Sequence, residues 1–499
     1  MKWNIRELMS TSGVKFGTSG ARGLAADLTD SVAYAYTRAF LQYLEGLGEL
    51  KGQGTEVAVA GDLRPSTDRI MEAVLRAAEE MGYRPVNCGK IPSPAVALYG
   101  LTRHIPSIMV TGSHIPADRN GIKFNKCSGE LLKEDEPGVC GQVIEVAEGL
   151  FDRGGAFARK AISPHPIRLE AREQYVARYL ECFGSKALAG LRLGVYQHSA
   201  VGRELLFELL QGLGAATTPL GFSDEFVAVD TEAIRPEDVR LALDWMKQHR
   251  FDAIVSTDGD SDRPLICDEH GAWLRGDVAG ILCARFLHAD SVSLPVSCNS
   301  AVEKCGWFQE VRRTRIGSPY VVASMLEAAG RGARAAVGYE ANGGFLLQSD
   351  LSIHGRPLPA LPTRDAVLLL LGVLLLARQE GKTVSQLTAL LPARFTASGL
   401  LRDFPPDKSR AMMKRFDTGE SASDRQAVEK IFGPEFGRVA AMDRMDGLRI
   451  TFENGEIAHL RPSGNAPEFR CYNEAASVER AGEMNAICLE TIRRLALAE

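Results

Sequence analysis

The chain has 499 residues, 45% of them hydrophobic and 24% charged, the balance of an ordinary folded globular protein. Its 58 basic and 63 acidic residues leave a net charge of −5, and no concentrated Lys/Arg block is present, which argues against a nucleic-acid partner. At about 100–200 residues per domain, the length accommodates three to four domains.

A Gly-rich start, Lys15 to Gly23, precedes an amphipathic helix predicted from about Leu28 to Leu47. A strand-like run, Glu56 to Ala60, leads into Gly61-Asp62 and a helix from about Thr67 to Met81. Ile105 to Val110 reads as a strand that stops at Thr111-Gly112. The polar stretch Phe151 to Pro166 reads as a linker. A second α/β pattern follows: strand Leu191 to Tyr196, helix Val201 to Leu213, strand Asp252 to Ser256. A third begins near Gly276, with strands Val292 to Ser297 and Ala335 to Gly338 around a helix from Pro319 to Ala329. The oily run Ala366 to Ala377 closes it; at 12 residues it falls short of the roughly 20 that span a membrane and reads as a buried helix. Pro405-Pro406 reads as the junction to a smaller terminal domain. Short apolar strands alternating with longer helical patterns indicate sheets covered by helices. Ten scattered cysteines without a C-x-x-C pair, and no apolar core in Met1 to Ser10, predict a cytoplasmic protein with no membrane partner.

Four loops carry unusual chemistry. In the first, Thr111-Gly112-Ser113-His114-Ile115-Pro116, a serine follows an apolar strand, and the glycine allows close backbone approach. Read alone, this is a tight turn first and a nucleophile or phosphate-carrier loop second. Asp118-Arg119-Asn120-Gly121 is a turn signal, and a hairpin there would bring Lys123 back toward Ser113 as a charge or proton-transfer group. The second loop, Thr257 to Arg263, spaces Asp258, Asp260 and Asp262 at alternate positions, so that three carboxylates can converge on one hard cation. Mg²⁺ fits this donor set, Ca²⁺ remains an alternative, and Arg263 can pair with the carboxylates or with a phosphate. In the third, Tyr339 to Gly344, Glu340 and Asn342 suit adjacent sugar hydroxyls, and a plain Gly-Gly turn accounts for the same residues. In the fourth, Arg461-Pro462-Ser463-Gly464-Asn465-Ala466-Pro467 offers a guanidinium fork, a hydroxyl, an amide and open backbone N–H groups to an anion, with Arg470 in support.

These loops, with Gly17-Thr18-Ser19-Gly20-Ala21-Arg22-Gly23, resemble the α-D-phosphohexomutase family across nearly the whole chain, and most of all its bacterial phosphomannomutase members. The resemblance implies an α/β fold of four domains around a central cleft, three alike and a smaller C-terminal α+β domain. It places the domains at 1–155, 165–274, 275–390 and 395–499. It implies phosphoryl transfer between the 1- and 6-positions of a hexose phosphate substrate, with Ser113 as phosphate carrier and a hexose 1,6-bisphosphate as intermediate and activator. Mg²⁺ is then bound by Asp258, Asp260, Asp262 and phosphorylated Ser113. Arg22, His114 and Lys123 line the reacting group together with Arg263, and Lys123 is the acid/base candidate. Glu340 and Asn342 read the sugar, while Arg461, Ser463 and Asn465, backed by Arg470, hold the other phosphate. The chain acts as a monomer or homodimer in this reading. It departs from many relatives at Asn342 and Gly344, where they have Ser and His, and at Ser318, where some dual glucose/mannose enzymes have His. Gly-Ser and Ile-Pro in the serine loop favour mannose phosphate over glucosamine phosphate; phosphoglucomutase or a dual-specificity phosphomannomutase/phosphoglucomutase is the alternative, with a non-catalytic sugar-phosphate binding protein behind both.

Overall fold

The computed structural model describes residues 1–17, 20–50, 52–159, 165–463 and 467–497. Four sheet-and-helix domains follow one another along the chain. They fall into two compact units, Met1–Ser293 with Gly317–Leu387, and Leu294–Ile316 with Thr388–Glu499.

The first three domains repeat one device. In the first, Glu56–Gly61 runs parallel to Arg84–Lys90 and to Ser107–Val110, which turns back antiparallel into Arg119–Lys126. In the second, Arg192–His198 runs parallel to Ala216–Phe222 and to Ala253–Thr257, which turns back into Pro264–Cys267. In the third, Ser291–Pro295 runs parallel to Ala336–Tyr339, which turns back into Phe345–Leu347. Parallel strands covered on both faces read as unbroken apolar runs, and Val57 to Ala60, Ala253 to Val255 and Ala336 to Val337 are all fully buried. The hairpins close at Val110 with Ile122, Thr257 with Pro264 and Tyr339 with Phe345. Each therefore projects one loop beyond the carboxyl end of a parallel strand, where α/β sheets present ligand sites. The serine, aspartate and glutamate loops occupy these three equivalent places.

The oily run is the helix Ala366–Glu380, buried as expected and capped by Asp365, whose Oδ1 accepts the Leu368 N–H at 3.3 Å. Its apolar surface on all sides is used up in the core. Gly372 lies so near Gly276–Phe286 that a Cβ there would come within 2.6 Å of Cys283 Sγ. Among the described residues no helix is long and apolar enough to cross a membrane, and all ten cysteines are free thiols.

Three sequence expectations are corrected. Asp118 to Gly121 is not the turn: Arg119–Lys126 is already strand, with Asn120 and Gly121 paired to Gly23 and Arg22, because the serine loop itself reverses the chain. Pro405-Pro406 is not a junction but the cap and first residue of the helix Pro406–Lys414, inside the second unit, where a missing N–H costs nothing. The linker stretch is partly built into the first domain, since Phe151 and Phe157 bridge and pack on its core; residues 160–164 of it lie outside the described residues. The strand Ala216–Phe222 and the helices Glu170–Phe183 and Pro236–His249 were not anticipated. Pro219 and Gly221 obscure the exposed edge strand, and both helices carry dense charge.

The terminal domain is a five-stranded antiparallel sheet in the order Phe395–Leu401, Phe469–Ala475, Ile457–Pro462, Leu448–Phe452, Val439–Asp443. Its core gathers Phe416, Phe432, Phe436, Phe452 and Phe469.

One buried histidine ties stability to pH. His198 ends the strand Arg192–His198, is fully buried, and its Nε2 lies 2.7 Å from the Thr257 carbonyl oxygen. Burial lowers its pKa to about 4. The unfolded chain binds a proton there near pH 6.5, so between these values the unfolded state holds the extra proton and acidification destabilises the fold. The expected slope from this residue is about 1.4 kcal/mol per pH unit, about 3 kcal/mol in all. His198→Gln keeps a donor but does not titrate. Its urea midpoint should fall less than the parent's between pH 6.5 and about 4.5, and an unchanged fall would remove His198 from the acid response.

Candidate active site

The serine loop is held under constraint. Ser113 has φ +56, a left-handed conformation that costs a residue with a Cβ about 1–2 kcal/mol. Its N–H donates to Thr111 Oγ1 at 2.7 Å, and Thr111 Oγ1 donates to Asp62 Oδ2 at 2.7 Å. The buried guanidinium of Arg64 donates to the carbonyls of Ser113 (2.8 Å), Ile115 (2.5 Å), Pro116 (2.5 Å) and Arg119 (2.9 Å), and to Asp62 (3.1 Å). One planar cation thus gathers the loop's carbonyls on one side and leaves the serine hydroxyl to the aspartate loop. Gly112 is required for this packing, because a Cβ there would lie 2.6 Å from Arg64 Cζ. Asp62 and Arg64 escaped the sequence reading; the Gly61-Asp62 strand end was its only trace.

The hairpins bring this serine to the aspartates. Ser113 is 1% exposed, and its Oγ donates to Asp258 Oδ2 at 2.7 Å. Asp258 Oδ1 accepts the backbone N–H groups of Asp262 and Arg263, both at 3.2 Å, which turns the loop on itself. Lys123 Nζ donates to Asp260 Oδ2 and Asp262 Oδ2, both at 2.6 Å. Ser93 Oγ donates to the same Asp260 oxygen at 2.6 Å, a contact absent from the sequence reading. Arg364, also unforeseen, donates from Nε to Asp262 Oδ2 at 3.1 Å and from Nη1 to Glu340 Oε2 at 3.2 Å.

Ligand atoms of Asp258, Asp260 and Asp262 lie within 4.8 Å of one another, all buried. Asp260 and Asp262 share a pattern: Oδ2 is taken by cations or a hydroxyl, while Oδ1 is buried with no hydrogen-bond partner among the described residues. Bare buried carboxylate oxygens are costly, and an all-oxygen set of this kind suits a hard divalent cation. The charge balance is correspondingly divided. Burial and the neighbouring Asp260 and Asp262 push the Asp258 carboxyl well above the usual range. Burial opposes ionisation of Asp260 and Asp262 as well, yet Lys123 and Arg364 hold both below it. Burial likewise disfavours the Lys123 ammonium, but Asp260 and Asp262 raise its pKa, so the acid/base candidate is firmly protonated in this arrangement.

His114 Nδ1 lies 3.4 Å from Ser113 Oγ. Burial and the cation of Arg263 lower its pKa to about 3, which leaves the ring neutral. Arg22 sits on Gly20–Leu24, paired through Gly20 to Lys123 and through its own position to Gly121. Its side chain keeps surface toward solvent. Desolvation of its head and the repulsion of Arg263 bring its pKa to about 10, still cationic at neutral pH.

In the third loop, Asn342 Oδ1 accepts the Gly344 N–H at 2.9 Å, which leaves the amide NH₂ as its donor end. Ser318, one of the departures from relatives, is buried and donates to Glu130 Oε2 at 3.0 Å. The fourth loop belongs to the second unit and is described by itself. Arg461 and Arg470 face each other across the ladder of Ile457–Pro462 and Phe469–Ala475. Each is held by an acid: Arg461 Nε donates to Asp446 at 2.8 Å and Arg470 Nη2 to Glu468 at 3.0 Å. The Ser463 N–H donates to the Glu468 carbonyl at 2.9 Å, and Asn465 lies outside the described residues.

Comparison with known proteins covers the chain. Family models described as phosphoglucomutase/phosphomannomutase α/β/α domains I, II and III and C-terminal domain match residues 13–148, 173–271, 275–395 and 413–490. A phosphomannomutase of Salmonella muenchen is 42% identical over 491 residues, 98% of either chain. A phosphomannomutase of Sinorhizobium fredii (strain NBRC 101917 / NGR234) is 43% identical over 469 residues, 94% of this chain and 96% of the relative. The X-ray structure of a phosphoglucomutase/phosphomannomutase family protein from Burkholderia thailandensis matches with a TM-score of 0.73 at 19% identity, over 96% of each chain.

Proposed function

The chain belongs to the α-D-phosphohexomutase superfamily and catalyses a phosphohexomutase-type reaction, and from that premise we propose that it interconverts mannose 1-phosphate and mannose 6-phosphate. The observation that carries the mannose assignment is the 42% and 43% identity to two phosphomannomutases along almost the whole chain.

In this reading Ser113 carries the phosphate. Phosphorylated Ser113 transfers its phosphoryl group to the free sugar hydroxyl: the Oγ–P bond breaks, a sugar O–P bond forms, and the hydroxyl proton passes to Oγ. Lys123 relays that proton, giving its own to Oγ and taking the sugar's. The hexose 1,6-bisphosphate turns end for end, and its other phosphate returns to Ser113 by the reverse steps, so nothing is gained or lost over the cycle. The Ser113–Asp258 contact supports this assignment, because it puts the carrier oxygen against the carboxylate cluster. Mg²⁺, held by Asp258, Asp260, Asp262 and the Ser113 phosphate, would supply positive charge to the phosphoryl oxygens. Arg22, Arg263 and Lys123 add to it, and His114 lines the same pocket as a neutral ring; phosphoryl transfer rests mainly on such positioning and charge. Glu340 and Asn342 read the sugar hydroxyls. Arg461, Ser463 and Asn465, with Arg470, hold the phosphate that is not reacting. The ten free thiols support a reducing compartment, the cytoplasm, as the place of action.

The test is a rate panel on mannose, glucose and glucosamine 1-phosphates with the bisphosphate activator. We expect kcat/KM for mannose 1-phosphate to exceed the other two by about tenfold or more. Equal values for mannose and glucose would replace this assignment with a dual-specificity enzyme.

A further inference from the structure

Arg364 does something that neither the serine nor the aspartate loop accounts for. Its guanidinium spans two loops of different domains, Asp262 at 3.1 Å and Glu340 at 3.2 Å, with the side chain 12% exposed. The residues on either side pin it from two further directions. Thr363 Oγ1 donates to Glu130 Oε1 at 2.5 Å. Asp365 accepts from Tyr175 at 2.6 Å and from Tyr179, and its own N–H donates to the Phe345 carbonyl at 2.8 Å. Room for the arginine stem comes from Gly344: a Cβ there would lie 2.5 Å from Arg364 Cδ and 2.6 Å from Cγ. Gly344 has no left-handed φ, so its lack of a side chain answers to space, not to backbone conformation.

Building on the phosphohexomutase reading, we propose that Arg364 is a positioning residue that aims both the metal ligand Asp262 and the sugar-reading Glu340, and that Gly344 is small in order to admit it. By occupying Asp262 Oδ2 jointly with Lys123, Arg364 turns Oδ1, the oxygen without a hydrogen-bond partner, toward the cation position. By the same planar fork it fixes Glu340, so that metal loop and sugar loop share one orienting group. A lysine at this position has the charge but not the planar fork, and its single Nζ cannot reproduce the two directed contacts that Nε and Nη1 make to Asp262 and Glu340.

The full chain, without sugar, is titrated with Mn²⁺ and followed by electron paramagnetic resonance; KM and kcat for mannose 1-phosphate and the thermal midpoint are measured beside it. Arg364→Met should weaken Mn²⁺ binding about tenfold or more, the usual cost of losing a group that orients a ligand, and should also raise KM. Arg364→Lys should recover part of the Mn²⁺ affinity and little of the KM. Gly344→Ala, which leaves Arg364 in place but displaces its stem, should reproduce both effects in the parent and add little in the Arg364→Met background. This non-additivity keeps the proposal testable even where Arg364→Met folds poorly. A purely structural arginine would move the thermal midpoint alone. Unchanged Mn²⁺ affinity and KM in Arg364→Lys and Gly344→Ala, or full additivity of Gly344→Ala with Arg364→Met, overturns the proposal. Failure of the underlying reading looks different: Mn²⁺ would then bind Asp260→Asn as tightly as the parent.

Discussion

Ser113→Ala is expected to lose on the order of 10⁴-fold or more in turnover of mannose 1-phosphate while keeping its fold, because no other group can carry the phosphate. The hydroxyl's short bond is to Asp258, whose other oxygen keeps two backbone N–H donors, with His114 Nδ1 farther off at 3.4 Å, so its removal costs about 1–2 kcal/mol of stability. The backbone supplies a second, independent readout. At φ +56 alanine bears the same left-handed strain as serine, whereas glycine does not. Ser113→Gly should therefore be as inactive as Ser113→Ala yet more stable by about 1 kcal/mol in urea denaturation. Incubation with a hexose 1,6-bisphosphate should phosphorylate the peptide containing Ser113 in the parent and in neither variant. Appreciable turnover by Ser113→Ala would end the carrier assignment.

The loops of the candidate site were readable from the chain because they are short runs that each stay on one hairpin. Thr111 to Pro116, Asp258 to Arg263 and Glu340 to Gly344 are contiguous, and the apolar strands before them announce where each loop begins. What those loops lean on was not readable. Ser93, Arg64, Glu130 and Arg364 each meet their partners across long separations in the chain, and a buried cation among polar loop residues leaves no periodic signature. Arg364 stands directly before an apolar helix, beside Asp365, whose side chain caps that helix, and nothing in this local setting signals partners at positions 262 and 340. The turn was misplaced for a related reason. Asn120-Gly121 has turn chemistry, but Asn120 is buried, with Nδ2 donating to Ser66 at 2.9 Å and Thr67 at 3.2 Å, and a Cβ at position 121 would come 2.7 Å from the Ala21 carbonyl oxygen. Packing demands chose those residues, and local propensity took no part. The likeness of the first three domains was legible from the succession of α/β blocks and the family resemblance but not from any sequence period, since it lives in hairpin geometry and strand pairing rather than in matching side chains.

The same geometry makes removal of the cation, or of one ligand's charge, the next most damaging change expected after loss of the Ser113 hydroxyl. Three ionised carboxylates within 4.8 Å of one another would repel by about 3.5 kcal/mol or more per pair at an effective dielectric constant of about 20. Lys123 and Arg364 offset part of this, with Arg263 Nε 3.8 Å from Asp262 Oδ1, and the two Oδ1 atoms without a hydrogen bond among the described residues mark where the rest must be met. Chelation should accordingly abolish turnover and Mg²⁺ should restore it, with the thermal midpoint rising as Mg²⁺ is added; saturation to about 100 times Kd is worth about 2.7 kcal/mol. Asp260→Asn should lose more than a unit of charge. Its Oδ2 accepts from both Lys123 and Ser93, so an amide must turn its oxygen to those donors and its NH₂ toward the cation position. One amide cannot accept from an ammonium on one side and coordinate a cation on the other. We expect Mg²⁺ affinity and kcat each to fall about 100-fold, with the Mg²⁺-dependent rise in thermal midpoint gone, whereas Ser93→Ala, which removes one of the two donors and leaves the charge, should cost about tenfold or less. A Mg²⁺ response in Asp260→Asn equal to the parent's would take Asp260 out of the ligand set and leave its bare oxygen without an explanation.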